Sequence, residues 1–297
     1  MATTISRTSA RPTRSAKPAA APAPYRGLKI GLFYLLLLVI ALVFLSPYLL
    51  TLSASFKSLA QINSQKAWTL PSSLGIGNFR TLFSQYDFGE YLLNTVIVTV
   101  ILTLGQVTFS VMGAYAFARL QFPGRNALFA MYLGTLMVPN VVTMIPLYVI
   151  MDKAGLLDTY WAIFLPYTLG TPYTVFLMRQ FMMTLPSEMF EAARLDGCSE
   201  FKILYRIVVP VARPIIITAT IIALVFSWNN FLWPLIATNS NDLQVLTVGI
   251  ANLSSNFGQQ WNLVLAGSLV ALIPMVAIFV AFQRYIVNSI QLTGVNR

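Results

Sequence analysis

LKIGLFYLLLLVIALVFLSPYLLTL, residues 28–52, holds a single charged side chain in twenty-five and decides the solvent in which this chain folds. A helix rises about 1.5 Å per residue, so roughly 20 apolar residues in succession cross the hydrocarbon layer of a bilayer. The run is longer than the core of a signal peptide, roughly 7–15 residues, and reads as an uncleaved anchor.

Outward from it, five more segments are long and apolar enough to span: about 92–118, 127–151, 160–183, 210–236 and 261–287. Composition agrees, with 57% hydrophobic and 9% charged residues. A water-soluble domain carries roughly 25% charged residues, so this chain cannot cover a wet surface. The expected fold class is all-α: a polytopic membrane bundle of six transmembrane helices. The third to sixth segments are interrupted by Pro139, Pro146, Pro166, Pro172, Pro214 and Pro274. Such breaks are tolerated where neighbouring helices or a watery path satisfy the freed backbone groups. Those segments are therefore expected to face protein or a pathway, and Leu35 to Val43 to face lipid.

Orientation follows from Lys and Arg, which concentrate on the cytoplasmic side. With the amino end inside, fifteen basic residues are cytoplasmic, among them Arg119, Arg125, Arg179, Arg194 and Arg284. Four stay outside: Lys57, Lys66, Arg80 and Lys153. Both termini are then cytoplasmic. Residues 1–27, rich in Ala, Pro, Arg, Ser and Thr, read as a disordered basic tail, and residues 28–297 as the transmembrane domain. The net charge of +10 is topological, and nucleic acid is not an expected partner.

Several classes drop out. There is no histidine, and Cys198 is the only cysteine, so no metal site and no His-based or Cys-based catalysis are expected. The acids lie in loops, away from any buried acid–base constellation, so the chain reads as no enzyme. A secondary transporter would need ionisable groups at mid-membrane, and the arginines sit near helix ends instead.

The most charged stretch is LPSEMFEAARLDGCSEFKILYRIVVP, residues 185–210. Pro186 ends one span, and Ser187 is placed to cap a short helix with Glu188 in its first turn. Gly197, which takes φ > 0 readily, breaks that helix. Ser199 caps a second one, and Pro210 opens the fifth membrane segment. The product is a helix–turn–helix elbow with small residues, Ala192, Ala193 and Gly197, at its tip.

Glu191-Ala192-Ala193, Gly197, Ile207, Val209 and Pro210 stand at the spacing of the EAA loop of ABC importer permeases, with Val209 where that family usually has Leu. AYAFARLQFPGRN (114–126), IPLYVIMDKAGLLDTYWAIFLPY (145–167) and SWNNFLWPL (227–235) are similar to the carbohydrate, maltose-type group of that family. The resemblance covers nearly all of residues 28–297. It implies a second homologous permease, two ATPase subunits, an extracytoplasmic solute-binding protein and a sugar as solute. It also assigns coupling to the ATPase to Glu191, Ala192, Ala193, Asp196, Gly197, Phe201, Ile207 and Pro210. The chain has no G-x-x-x-x-G-K-[ST] loop, so ATP and Mg²⁺ are expected on the partner ATPase and no cofactor here. Import of a glycerol phosphate is the alternative within the family.

Polar groups within the spans are costly and point to a solute path. Asn94, Gln106, Asn140, Asn229 and Asn230 are the candidates, with Trp228, Trp233, Tyr167 and Tyr173 nearby, and Asn94, Asn140, Trp228, Asn229 and Asn230 are the expected path residues. Amides beside aromatic faces suit a sugar, which has hydroxyls at its rim and C–H groups on its flat.

Overall fold

The computed structural model describes residues 26–64, 68–72, 74–255 and 260–294. Residues 1–25 of the basic tail, Lys66 and Arg297 lie outside these. The chain divides into two compact units, residues 1–49 and 50–297, and α1 (Arg26–Ser55) runs through the boundary. Its apolar side chains are exposed all round, from Ile30 through Leu49, as an apolar rod with no polar face must be in lipid.

The second unit is all helix and turn among the described residues. Two short helices, α2 (Leu59–Ser64) and α3 (Gly77–Gln85), precede the long α4 (Phe88–Arg119). Then come α5 (Arg125–Gly134), a 3-10 turn, α6 (Asn140–Lys153), α7 (Tyr160–Thr168) and α8 (Pro172–Met183). The elbow is α9 (Ser187–Leu195), α10 (Glu200–Ile203), a π turn over Leu204–Val208 and α11 (Val209–Val211). Last are α12 (Arg213–Trp228), α13 (Leu232–Ala237), α14 (Leu246–Ser255) and α15 (Trp261–Gly294). α4 is the axle of this unit: α7, α8, α12 and α14 all pack on it.

Three helices, α1, α4 and α15, are long and apolar enough to cross a membrane by length and composition. Three other expected spans differ in form. Segment 127–151 is bent by 104° between Met137 and Asn140. Pro139 gives no backbone N–H and holds Val138 extended, at φ −88° and ψ 120°, so the helix cannot run through. Segment 160–183 divides into α7 and α8 at Leu169–Thr171. Gly170 takes φ +90°, and Thr171 and Thr174 form a reciprocal capping box with Pro172 in the first turn. The helix expected as the fifth span, α12, starts at Arg213 rather than Pro210, because the chain bends by 84° between the 200–211 stretch and α12.

Glycine fixes how tightly the α7–α8 break seats on α4. A Cβ on Gly105 would stand 2.3 Å from Thr168 Cγ2, and one on Gly170 would stand 2.9 Å from Ser110 Oγ. With no Cβ at either place, the broken segment presses against α4 on both sides of Gln106. Ser110 and Thr174 bond across that contact at 2.7 Å.

Candidate functional site

The elbow is built from the inside out. Phe190 and Ala193, three residues apart on α9, turn inward with Ile203, Leu204, Val208 and Ala212. They form one core with Val111, Ala114 and Tyr115 of α4, Val175, Met178 and Met182 of α8, and Ala219 of α12. A buried core of this kind makes the elbow part of the bundle and not a tethered loop.

Polar ties lock the same underside. Nε and one terminal nitrogen of Arg119 donate to the Met182 carbonyl at 3.1 and 2.6 Å, and the terminal nitrogen also donates to the Leu185 carbonyl. Met182 is in the last turn of α8, where its carbonyl has only turn N–H partners, and Leu185 lies just beyond that end. The same guanidinium lies 4.3 Å from the centre of the Phe190 ring, within cation–π range. Arg179 repeats the pattern, donating to the Phe117 carbonyl at 3.1 Å and lying 4.1 Å from the centre of the Phe129 ring. Glu200 joins the two arms of the elbow to α4. One carboxylate oxygen pairs with Arg194 at 2.9 Å, and the other accepts from the Tyr115 hydroxyl. Those bonds, Arg194 first and Tyr115 second, hold the Glu200 carboxyl below its ordinary value, and Glu200 in turn holds the Arg194 guanidinium above its own.

The turn closes as its sequence predicts. Gly197 takes φ +74°, its N–H bonds to the Arg194 carbonyl at 3.0 Å, and the Cys198 N–H reaches back to Ala193 at 3.0 Å. Ser199 caps α10 by accepting from the Lys202 N–H. Ser187 does not cap α9: extended Pro186 holds that position, and no side-chain cap forms.

Of the predicted coupling residues, Glu191, Ala192, Asp196, Gly197, Phe201 and Pro210 are exposed, while Ile207 is half-buried. Ala193 faces the bundle and is 5% exposed. The outward face also carries Leu195 and Tyr205, 89% and 53% exposed, which the motif's spacing did not mark. Helical periodicity could have found Leu195, four residues after Glu191 and out of phase with Phe190 and Ala193.

The expected path residues separate into two groups. Asn94 is buried, and its Nδ2 donates to the carbonyls of Asp242 and Gln244 at 2.7 and 3.0 Å while its Oδ1 accepts from Tyr160. It clamps the segment before α14 to α4 and α7, with no polar atom left for a solute. Trp228 is also structural, donating from Nε1 to the Ala271 carbonyl of α15 at 3.2 Å. Asn229 bonds back to Val225 of its own helix at 2.8 Å. Asn230 keeps a buried Nδ2 without a partner among the described residues. Asn140, at the first position of α6, opens on a cavity of about 660 Å³ with Gln106, Tyr167 and Tyr173. No group of His, Cys, Asp and Glu among the described residues has the geometry to hold a metal ion.

Comparison with known proteins identifies the family and the fold. A family model, binding-protein-dependent transport system inner membrane component, matches residues 106–291. The arabinooligosaccharides transport system permease protein AraQ of Halalkalibacterium halodurans is 35% identical over 86% of this chain and 92% of its own. The sn-glycerol-3-phosphate transport system permease protein UgpE of Yersinia pestis bv. Antiqua is 32% identical over 89% of this chain and 96% of its own. A crystal structure of a bacterial ABC transporter involved in the import of the acidic polysaccharide alginate superposes with a TM-score of 0.77 at 23% identity. That match covers 90% of this chain and 99% of the other. An all-helical bundle with a braced EAA elbow, matched over most of its length, belongs to the family of binding-protein-dependent inner membrane transport components, the permease subunits of ABC importers, and is not itself a catalytic subunit.

Proposed function

We propose that this permease takes up an uncharged sugar or oligosaccharide across the bacterial cytoplasmic membrane, driven by a separate ATPase that acts on the outer face of α9–α10. The observation that carries this reading is the two-sidedness of the elbow. Its underside is buried and bonded to α4 and α8, while Glu191, Ala192, Leu195, Asp196 and Phe201 stay free on top. A surface held this firmly transmits displacement into the bundle, provided the ATPase binds its two states with different geometry. In this reading the full assembly has a second homologous permease, two ATPase subunits and an external binding protein. The chain spans the membrane six times, α5–α6 and α7–α8 each counting as one broken span, with both termini in the cytoplasm.

Two named relatives carry oligosaccharides and a glycerol phosphate respectively. The absence of Lys and Arg among the residues lining the cavity favours the neutral solute, since an uncompensated anion in a low-dielectric path is costly. Glu191→Arg tests the coupling surface. The variant should insert normally and lose both co-purification with the ATPase and uptake. Normal assembly and uptake would remove the elbow from the mechanism. Cys198, the single thiol, tests the sidedness. A membrane-impermeant reagent should label it in inside-out vesicles stripped of ATPase and leave it unlabelled in intact cells. Labelling from outside would invert the topology.

A further inference from the structure

Gln106 sits near the middle of α4, 1% exposed, and its Nε2 has no hydrogen-bond partner among the described residues. It is no isolated lapse in packing. Thr99, Thr103 and Gln106 stand four and then three residues apart on one face of α4, each with a buried polar side-chain atom left open. Buried side-chain amides are ordinarily satisfied. Gln106 borders a cavity of about 660 Å³, a size suited to a small ligand, and although its unpaired Nε2 has no accessible surface, rotation of the amide about χ3 exchanges nitrogen for oxygen and turns that donor toward something that enters.

The rest of the wall complements that donor. The hydroxyls of Thr135 and Thr143 spend their protons on their own helices, donating to the Tyr132 and Asn140 carbonyls at 2.7 and 2.8 Å. Toward the cavity they are acceptors. The Asn140 side chain, which forms no hydrogen bond among the described residues, supplies both a donor and an acceptor. Tyr173, half-exposed, gives an aromatic face for C–H groups. No Asp, Glu, Lys or Arg lines the space. Donors and acceptors side by side on an uncharged, partly aromatic wall match hydroxyl groups, each of which donates and accepts. They do not match a phosphate or carboxylate, which only accepts and brings charge.

We infer that this cavity, walled by α4, the two broken segments and α12, is a binding site for an uncharged polyhydroxylated solute, with the Gln106 amide donating to a solute hydroxyl oxygen. This rests on the importer reading above and deepens it: the chain contributes its own solute contacts, at Gln106 and not at Asn94 or Trp228. Glycine at 105 and 170 keeps the site in register, because a side chain at either would push the α7–α8 break off α4.

The test uses the full chain in its assembled complex, reconstituted in proteoliposomes with its binding protein. The probes are raffinose, arabinotriose and sn-glycerol 3-phosphate. In one arm, Gln106→Cys in a Cys198→Ala background is exposed to a small methanethiosulfonate during turnover, with and without each probe. In the other, Gln106→Leu is assayed for uptake per ATP hydrolysed. A neutral sugar should slow modification at position 106, with glycerol phosphate having no effect. Gln106→Leu should lower uptake per ATP roughly two- to tenfold, the worth of one hydrogen bond, with Gln106→Asn in between. If wild type imports a sugar while position 106 is unprotected and Gln106→Leu transports normally, the cavity is not the site and the importer reading stands. Protection by glycerol phosphate alone overturns the neutral class. No probe-stimulated turnover in wild type overturns the importer reading, and this inference with it.

Discussion

The two ends of the working half of α4 treat polar groups in opposite ways. At its carboxyl end, Tyr115 and Arg119 spend their hydrogen-bonding capacity on the elbow, bonding Glu200, Met182 and Leu185. In its middle, Thr99, Thr103 and Gln106 are as buried as Tyr115, and more so than half-buried Arg119, yet keep polar atoms unpaired. Saturated polar groups resist displacement, and open ones accept a guest. One helix therefore holds the stiff part of the machine and the receptive part, and satisfaction of hydrogen bonds separates them better than burial does.

The comparison is sharpened first at the turn. Gly197→Pro demands φ near −65° where the turn has +74°, and it removes the N–H that bonds Arg194. A cost of about 3 kcal/mol or more at this position should reduce uptake to background while the bundle still inserts. Uptake near wild type would mean that the elbow's rigidity does not matter. Next is a pair of variants read by thermal unfolding in detergent. Arg119→Met strips the Leu185 carbonyl of its donor and leaves the Met182 carbonyl only a long backbone bond from Leu185 N–H at 3.4 Å, and should destabilise by about 1–3 kcal/mol. Gln106→Leu removes an amide that was never satisfied and should be neutral or stabilising by up to about 1 kcal/mol. The reverse order would break the comparison outright.

The smallest effect concerns Glu200. Its carboxyl is held below the ordinary value of 4.5 by Arg194 and then Tyr115, so it is the ionised form that ties the elbow down. A depressed value means that the tie is complete above the ordinary value and is lost as pH falls through the depressed one. Amide exchange in α9 and α10, corrected for its intrinsic rate, should be flat between about pH 5 and 7 and rise below that range. Glu200→Gln should abolish the dependence. A rise centred near neutrality would point to a different group.

Most of the elbow is legible in the sequence because its rules are local. A glycine that must take φ > 0 and a serine three residues before the amide it caps are read within one turn of chain. The same local reading erred where two residues competed for one role, Pro186 displacing Ser187 as cap, and where the π turn and the bend at Ala212 delayed α12 beyond Pro210. Of the prolines that mark interruptions in the sequence, Pro139 and Pro172 fall at breaks and Pro214 in the first turn of α12, whereas α6, α7 and α15 run on through Pro146, Pro166 and Pro274. Mid-membrane amides were the least legible. Asn94 and Gln106 look alike in sequence, and only the fold brings Asp242 and Gln244 to one and a cavity to the other.

The 84° bend at Ala212 makes the segment from Glu200 to Val211 a crank set on the shaft of α12. Twelve residues at about 1.5 Å each give a throw of roughly 18 Å. A tangential push of ~3 Å at its tip then rotates the shaft by ~10°, a turn that carries the faces of Ile222, Ala223 and Phe226 along the cavity wall. Spin labels on α10 and α12, compared in nucleotide-free and ATP-trapped complexes, would register rotation as a change in distance to α4 with their mutual spacing constant. A change in mutual spacing instead would mean that the joint flexes and the torque is lost there.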